Sequence, residues 1–447
     1  MSLKIRWLIS IIFILCFILV THLIILYAAG YKLNPANISF QKTGMFILDT
    51  APRGAKIFIN NKPQQNLFKK ISARQPSAIT TPAKIKNLLP GKYDIKLELA
   101  GYWPWQKKLS IFPGAATYAE DIFLFKQNLP ILIYGTSTTG ALLSPNRTRL
   151  AILSASQLIL FDLNNEQKQS AAGQINLPKL SWSADSQKII SADTIFNANN
   201  LSDKINLDSL ARLGATKFFW ANNKIYYQLQ NTINTYNPTT KLSQTIINGQ
   251  KIDNYLVKDD YLYLISNLKQ FTALNIFKIS SNEFLGNINL PLSLNYNFIN
   301  IDQKIINLYD QNQQLLYLID PQAALLSPTI KTIANIKYTY WINDTKLLYA
   351  NDWEIWLNDL TNSQKILITR ISASIKGLAW HPSNNYIIYW TDKTINTIEL
   401  DEREKRNTTE LVKFDQISSL ALNSPGNLLY FLAKIGSQAG LYKLAIQ

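Results

Sequence analysis

The chain has 447 residues, 45 Lys+Arg against 29 Asp+Glu, and a formal net charge of +16. Apolar residues make up 47% and charged residues 17%, which excludes a disordered chain, since that needs high charge and few aromatics. One Cys and two His exclude an intrachain disulfide and a Cys-based zinc site, and leave little material for His-dependent catalysis or metal binding.

The first element is apolar. Trp7 to Ala29 contains no Lys, Arg, Asp or Glu, and about 20 apolar residues suffice to span a hydrocarbon core as a helix. A secretory signal has a shorter apolar run, so Trp7 to Ala29 is expected to be an uncleaved anchor in the lipid bilayer. Ala28-Ala29-Gly30 is nonetheless a small-residue stretch of the kind a signal peptidase cuts. Lys4 and Arg6 precede the run and Lys32 follows it. The positive-inside rule then places the N-terminus in the cytoplasm and the remaining chain outside a single-pass cytoplasmic membrane anchor. Cys16 and His22 lie inside the run and are read as ordinary members of the helix.

Residues 43–126 change character. Short runs such as Met45-Phe-Ile-Leu, Lys56-Ile-Phe-Ile and Tyr93-Asp-Ile-Lys-Leu-Glu-Leu are separated by Gly/Pro turns, which predicts a small antiparallel β-sandwich of five or six strands. Thr50-Ala-Pro52-Arg-Gly54-Ala55, then Thr81-Pro82-Ala83, then Leu88-Leu89-Pro90-Gly91-Lys-Tyr93, then Gly101-Tyr102, resemble the ordered submotifs of PEGA domains over about 80 residues. Arg53 departs from the acidic residue of the family's name, and the loop from Pro63 to Ile79 is long. The resemblance implies a surface-associated, non-catalytic β domain, often beside a membrane anchor or a repeat domain.

From residue 127 one pattern returns: an apolar strand, a polar turn, and further apolar strands. Aligned on the residue before the turn, the copies sit at Leu143, Trp182, Trp220, Val257, Ile299, Trp341, Trp380 and Leu422. A β unit of about 40 residues with four strands marks a propeller blade. The turns Ser144-Pro-Asn146 and Trp380-His-Pro-Ser-Asn384 resemble those of WD-repeat and Tol-type β-propellers, although no Trp-Asp dipeptide ends a blade. The four Trp share one repeat position, which assigns them to packing between blades rather than to a ligand box. The last copy lacks a fourth strand, and Leu129 to Tyr134 supplies one that can pair with it and remove the free edges of the ring. That closure favours eight blades over seven; the weak fourth and fifth copies keep seven open. With only 16 Gly against 43 Asn, Asn is expected to fill turn positions with positive φ. The fold class is therefore mainly β: 1–33 stub and transmembrane anchor, 43–126 PEGA-like sandwich, 127–447 propeller.

The residue supply argues against catalysis. No Gly-rich phosphate loop or calcium loop is present. His381 falls in a blade turn, and 401–406 alternates charge like a solvated hairpin tip. No catalytic, cofactor-binding or metal residue is assigned, and no cofactor is expected. Of the +16, +12 lies in the first 126 residues, where mutational bias toward Lys, which would have enriched the propeller equally, does not account for it. A basic domain beside a bilayer meets anionic headgroups or an anionic wall polymer. The candidate surface comprises Lys69, Lys70, Arg74, Tyr102, Trp103, Trp105, Lys107 and Lys108, with the alternative that alternation buries Trp103 and Trp105 in the sandwich core. Nucleic acid is a poor partner outside the cytoplasm. The expected function is a bacterial cell-envelope binding or scaffold protein that presents its propeller to an envelope protein or glycan. The alternative is a propeller enzyme acting on a surface glycan or peptide.

Overall fold

The chain begins with one α-helix, Leu3–Ala28. The computed structural model describes residues 3–35, 38–65, 78–137, 140–154, 157–172, 180–191, 193–249, 251–320 and 330–447. The helix carries few polar side chains, and two of them bond back to its own backbone. Ser10 Oγ donates to the Arg6 carbonyl at 3.0 Å, and His22 Nδ1 donates to the Ile18 carbonyl at 2.8 Å. Such internal satisfaction is what a hydrocarbon environment demands. Ile5–Ala28 is long and apolar enough to cross a membrane, and an N-terminal signal sequence meets the same criterion.

Gly30, at φ +83, turns the chain out of the helix. A hairpin follows, Tyr31–Asn34 paired with Ser39–Lys42. Thr43 then returns to the helix end, with its N and Oγ1 both donating to the Gly30 carbonyl at 2.7 and 2.8 Å. The helix, hairpin and next domain are therefore joined by bonds as well as by sequence.

Two sheets make up the small domain. One orders its strands Ala83–Leu88, Gly44–Ala51 and Ala116–Phe123; the other orders Lys62–Pro63, Lys56–Ile59, Gly91–Glu98 and Trp105–Ile111. Alternating residues point inward, and Phe46, Leu48, Ile57, Ile95, Leu97 and Leu109 form one buried core. Each fully buried side chain of this size contributes roughly 1.5–3 kcal/mol. One pairing corrects the all-antiparallel expectation: Gly44–Ala51 and Ala116–Phe123 run parallel. They open and close the domain, and the intervening strands supply the long crossover that parallel neighbours need. The spaced submotifs meet here. Thr81 Oγ1 lies 2.6 Å from Thr50 Oγ1 and accepts from Ala55 N at 3.0 Å.

Among the described residues, eight four-stranded sheets follow one another from Ile131 to Ala445, the first built from Ala141–Leu143 onward and the eighth ending the chain. Every aligned repeat residue, from Leu143 to Leu422, lies on the first strand of its sheet. The four Trp pack on the preceding sheet. Trp182 joins Leu158 and Leu160, Trp220 joins Ile190 and Ile195, Trp341 joins Leu316 and Leu318, and Trp380 packs against Leu348 and Ala350. Nine of the 21 non-glycine residues with positive φ among the described residues are Asn, so Asn does serve the turns.

Ile131–Gly135 pairs antiparallel with Gln438–Ala445 and becomes the fourth strand of the last sheet. The first and last sheets then share one apolar cluster, including Leu150, Ile152, Tyr430 and Leu432. The ring is closed by a strand that precedes it in sequence. Gly440 is where the two ends touch most closely, because a Cβ there would lie 2.2 Å from the Tyr134 carbonyl oxygen. A Cβ on the facing Gly135 meets nothing within 4 Å. Gly440→Ala is therefore expected to cost about 1–3 kcal/mol, while Gly135→Ala leaves stability nearly unchanged. Thermal melts of the two variants check this; equal melting temperatures would contradict a closing strand at this position.

Candidate functional site

The strand Trp105–Ile111 alternates buried and exposed residues, and the buried register is Trp105, Lys107, Leu109 and Ile111. A lysine in an inward register needs an acid, since an unpaired ammonium in the interior is costly. The propeller supplies it. The ammonium of Lys107, fully buried, pairs with the buried carboxylate of Glu399, lies 3.4 Å from Asp401 Oδ2, and donates to the Asp401 carbonyl at 2.8 Å. Glu399 also accepts from Trp105 Nε1 at 2.8 Å and from the Asn407 backbone at 2.9 Å. The ammonium is surrounded by two carboxylates and a carbonyl, and both Glu399 oxygens have partners, which is the condition for a buried ion pair to be tolerated.

Residues 402–405 are exposed, as expected of a solvated tip, and the segment also clasps the small domain. Arg403 Nη1 donates to the Tyr118 carbonyl at 2.7 Å while its guanidinium pairs with Asp401, and Glu404 Oε2 accepts from Lys108 N at 2.6 Å. Arg403–Asp401 and Arg406–Glu402 pair within the tip, and Asp401 also faces Lys107 across the domain junction. On the other side of the junction Phe123 and Phe125 pack on His381, with Phe123 at 4.4 Å between ring centroids, and on Tyr386. Ser383 N donates to His381 Nδ1 at 3.2 Å, which leaves the imidazole proton on Nε2, where it is donated to the Gly426 carbonyl at 2.9 Å. Burial pushes the His381 pKa down to about 4, so the ring is neutral at pH 7 and joins the turns of the seventh and eighth sheets.

The expected surface thus divides. Trp105 is buried in the sandwich core, as the alternation alternative predicts, and Lys107 is buried at the junction, which corrects its reading as a surface contact. Trp103 is half-buried against the propeller cluster around Phe123 and Phe125, and its N donates to the Phe125 carbonyl at 2.8 Å. Tyr102 packs against the sandwich core. The Lys108 side chain is exposed. Lys69, Lys70 and Arg74 lie outside the described residues. Glu399, Asp401 and Arg403 were missed as junction residues. The inward lysine was a visible signal; its partner, 292 positions later, was not.

A second concave feature lies at one mouth of the propeller channel. A cavity of about 250 Å³ is lined by first-strand and turn residues, among them Arg147, Asn300, Asp302, Tyr340 and Trp341. Arg147, in the turn after the first strand, crosses the channel to the sixth sheet. Its guanidinium sits 3.6 Å from the centre of the Tyr340 ring, and Nη2 donates to the Trp341 carbonyl at 2.8 Å. Burial raises the Tyr340 pKa, and the neighbouring guanidinium opposes that rise. The arrangement offers a cation seated on an aromatic ring and a carboxylate within one small cavity. Among the described residues no group of three or more His, Cys, Asp or Glu side chains is placed to hold a metal ion.

No protein-family model matches the chain, and no curated protein matches it. Its fold is similar to solved structures of low sequence identity. One is described as a eukaryotic initiation factor, at 11% identity and a TM-score of 0.47, covering 68% of this chain and 84% of that one. Another is the Cps50 (Swd1) β-propeller domain of Myceliophteria thermophila, at 10% identity and 0.41, covering 61% of this chain and all of that one. A third is from a mitotic checkpoint complex, at 11% identity and 0.40, covering 72% and 94%.

Two outcomes follow from the junction. Lys107→Ala strands the Glu399 carboxylate and is expected to cost about 3–5 kcal/mol, whereas Lys107→Met with Glu399→Gln should recover much of that loss; urea titrations of the two variants beside the unsubstituted chain measure it. For His381 the folded pKa is below the unfolded value of 6.5, so the unfolded chain binds more protons between pH 6.5 and about 4. Stability should fall on acidification through that window, and His381→Gln should flatten this part of the slope in melts taken across pH.

Proposed function

We propose that the protein is a membrane-anchored scaffold of the cell envelope, whose helix is retained as an anchor and whose propeller binds a partner protein or surface polymer. The single observation that supports it most is continuity. The apolar helix is bonded to the small domain at Gly30 and Thr43, and the small domain is bonded to the ring at Lys107 and Glu399. A ring held in this way keeps one orientation relative to the end of the helix, as a scaffold requires. The small domain, with its PEGA-like submotifs, acts on this reading as a spacer between bilayer and propeller. The positive-inside rule directs the propeller away from the cytoplasm.

The chemistry at hand supports a binding role. The His381 nitrogens are both engaged, and His22 bonds to its own helix. The channel mouth supplies recognition groups instead: Arg147, seated on the Tyr340 ring, for an anionic group, and Asp302 for a cation or donor. A photo-crosslinking side chain at Gln303, on that mouth, is expected to give a discrete adduct in native membranes. One at Leu242, beside the outermost strand of the third sheet, should not. Equal labelling at the two positions would remove the channel mouth as the binding site. Extraction of the chain by alkaline carbonate would remove the anchor.

A further inference from the structure

The hairpin between the helix and the small domain presents apolar side chains that the described residues leave exposed. Tyr31, Leu33, Phe40 and Ile38 are 36%, 46%, 45% and 83% exposed. The register pairs Tyr31 with Lys42 and Leu33 with Phe40, and cross-strand partners share a face. One face of the hairpin is therefore aromatic and aliphatic with an ammonium at its edge. Phe112, 62% exposed, belongs to the same end of the molecule. Its turn is tied to the hairpin's exit, where Gly114 N donates to the Thr43 carbonyl at 3.0 Å.

The hairpin and the neighbouring segments of the small domain carry basic residues only, and Glu404 of the propeller reaches the cavity beside Lys92 and Phe112. Lys32 and Lys42 lie on the hairpin, and Lys32 Nζ donates to the Asn87 carbonyl at 3.4 Å, which brings the loop before Lys92 to the same place. Asn87 Nδ2 in turn donates to Tyr27 Oη on the helix at 3.0 Å. Residues 30–48, 83–93 and 109–119 contain no Asp or Glu. A patch combining exposed aromatic and aliphatic groups with Lys complements the headgroup layer of an anionic bilayer, where rings sit at the interface and ammonium groups face phosphate.

Length places the patch at that depth. A helix of 26 residues rises about 39 Å, and the hydrocarbon core is about 30 Å thick. The helix end then lies in the headgroup region, and the hairpin starts three residues beyond it. We propose that this basic, apolar end of the molecule, formed by the strands Tyr31–Asn34 and Ser39–Lys42 and the turn at Phe112, lies on the anionic surface of the bilayer and seats the small domain against it. The inference rests on the anchored reading and adds a second membrane contact that orients everything beyond it.

The test uses the full chain in proteoliposomes, with Cys16→Ser removing the native thiol and a polarity-sensitive fluorophore on Ile38→Cys, Phe112→Cys or Leu242→Cys. In vesicles containing phosphatidylglycerol, emission at 38 and 112 should be blue-shifted and quenched by brominated acyl chains. The label at 242 should stay in water. Lys42→Gln should lower the ratio of seated to free patch about fivefold, and raising salt or moving to phosphatidylcholine should lower it too. Chain that inserts, resists carbonate, and leaves 38 and 112 fully aqueous overturns the seat while keeping the anchor. Chain that does not insert overturns the anchor itself. A blue shift that ignores brominated lipid and grows with protein density would assign the patch to a second copy of the chain and overturn the proposal.

Discussion

A circle of sheets has two raw edges until its ends meet, and here the meeting fixes more than the ring. The closing strand Ile131–Gly135 is the direct continuation of the small domain, with Lys126 N donating to the Ile446 carbonyl at 2.8 Å just before it begins. The small domain therefore cannot sit far from the last sheet. Its last core strand, Ala116–Phe123, delivers Phe123 and Phe125 onto His381 and Tyr386 of the adjoining sheet. Edge pairing, which a propeller needs for its own sake, also chooses where the second domain docks.

The buried ion pair acts on what that docking leaves undecided. Removing Lys107 and Glu399 from water is costly, and their mutual attraction only roughly compensates. The pair is therefore a poor source of net stability and a good source of geometry. A wrongly rotated small domain would bury an ammonium without a carboxylate and strand Trp105 Nε1 as well. Apolar packing by Phe123 and Phe125 tolerates sliding; three ammonium bonds and an indole bond do not. The two kinds of contact divide the work between holding the domains together and fixing their angle.

The periodic parts were legible in the sequence because their signals are local. The aligned first-strand residues, the alternation of Tyr93 to Leu99 and the apolar run near the N-terminus each report a nearest-neighbour constraint. The missing fourth strand was legible too, because Leu129 to Tyr134 stood unclaimed beside an incomplete final copy. The candidate surface was not, because it turned on contacts between residues nearly 300 positions apart. The segment from Tyr102 to Lys108 was read for its composition, aromatic and basic, whereas its register decided the outcome. Lys107 falls in step with Trp105 and Leu109 and is buried; Lys108 falls out of step and is exposed. The parallel pairing of Gly44–Ala51 with Ala116–Phe123 escaped for the same reason, since neither strand carries a mark of its partner.

The charge asymmetry of the chain can now be divided by location. One charge of the basic excess in the first 126 residues is neutralised by the propeller, Lys107 by Glu399. Lys32 and Lys42 lie next to the helix end, and no acidic residue occurs in the first 48 residues. A soluble domain gains little from concentrating one sign of charge, because self-repulsion opposes the compact state. The repulsion is relieved when an oppositely charged surface lies within a Debye length, about 8 Å at physiological salt. On the anchored reading the bilayer is such a surface, and it is closest at the end where Lys32 and Lys42 lie. The propeller, whose charges nearly balance, is the part that the small domain holds away from it. The distribution of charge along the chain, the order of its domains and the direction of its anchor then express one constraint: each segment carries the charge that suits its distance from the membrane.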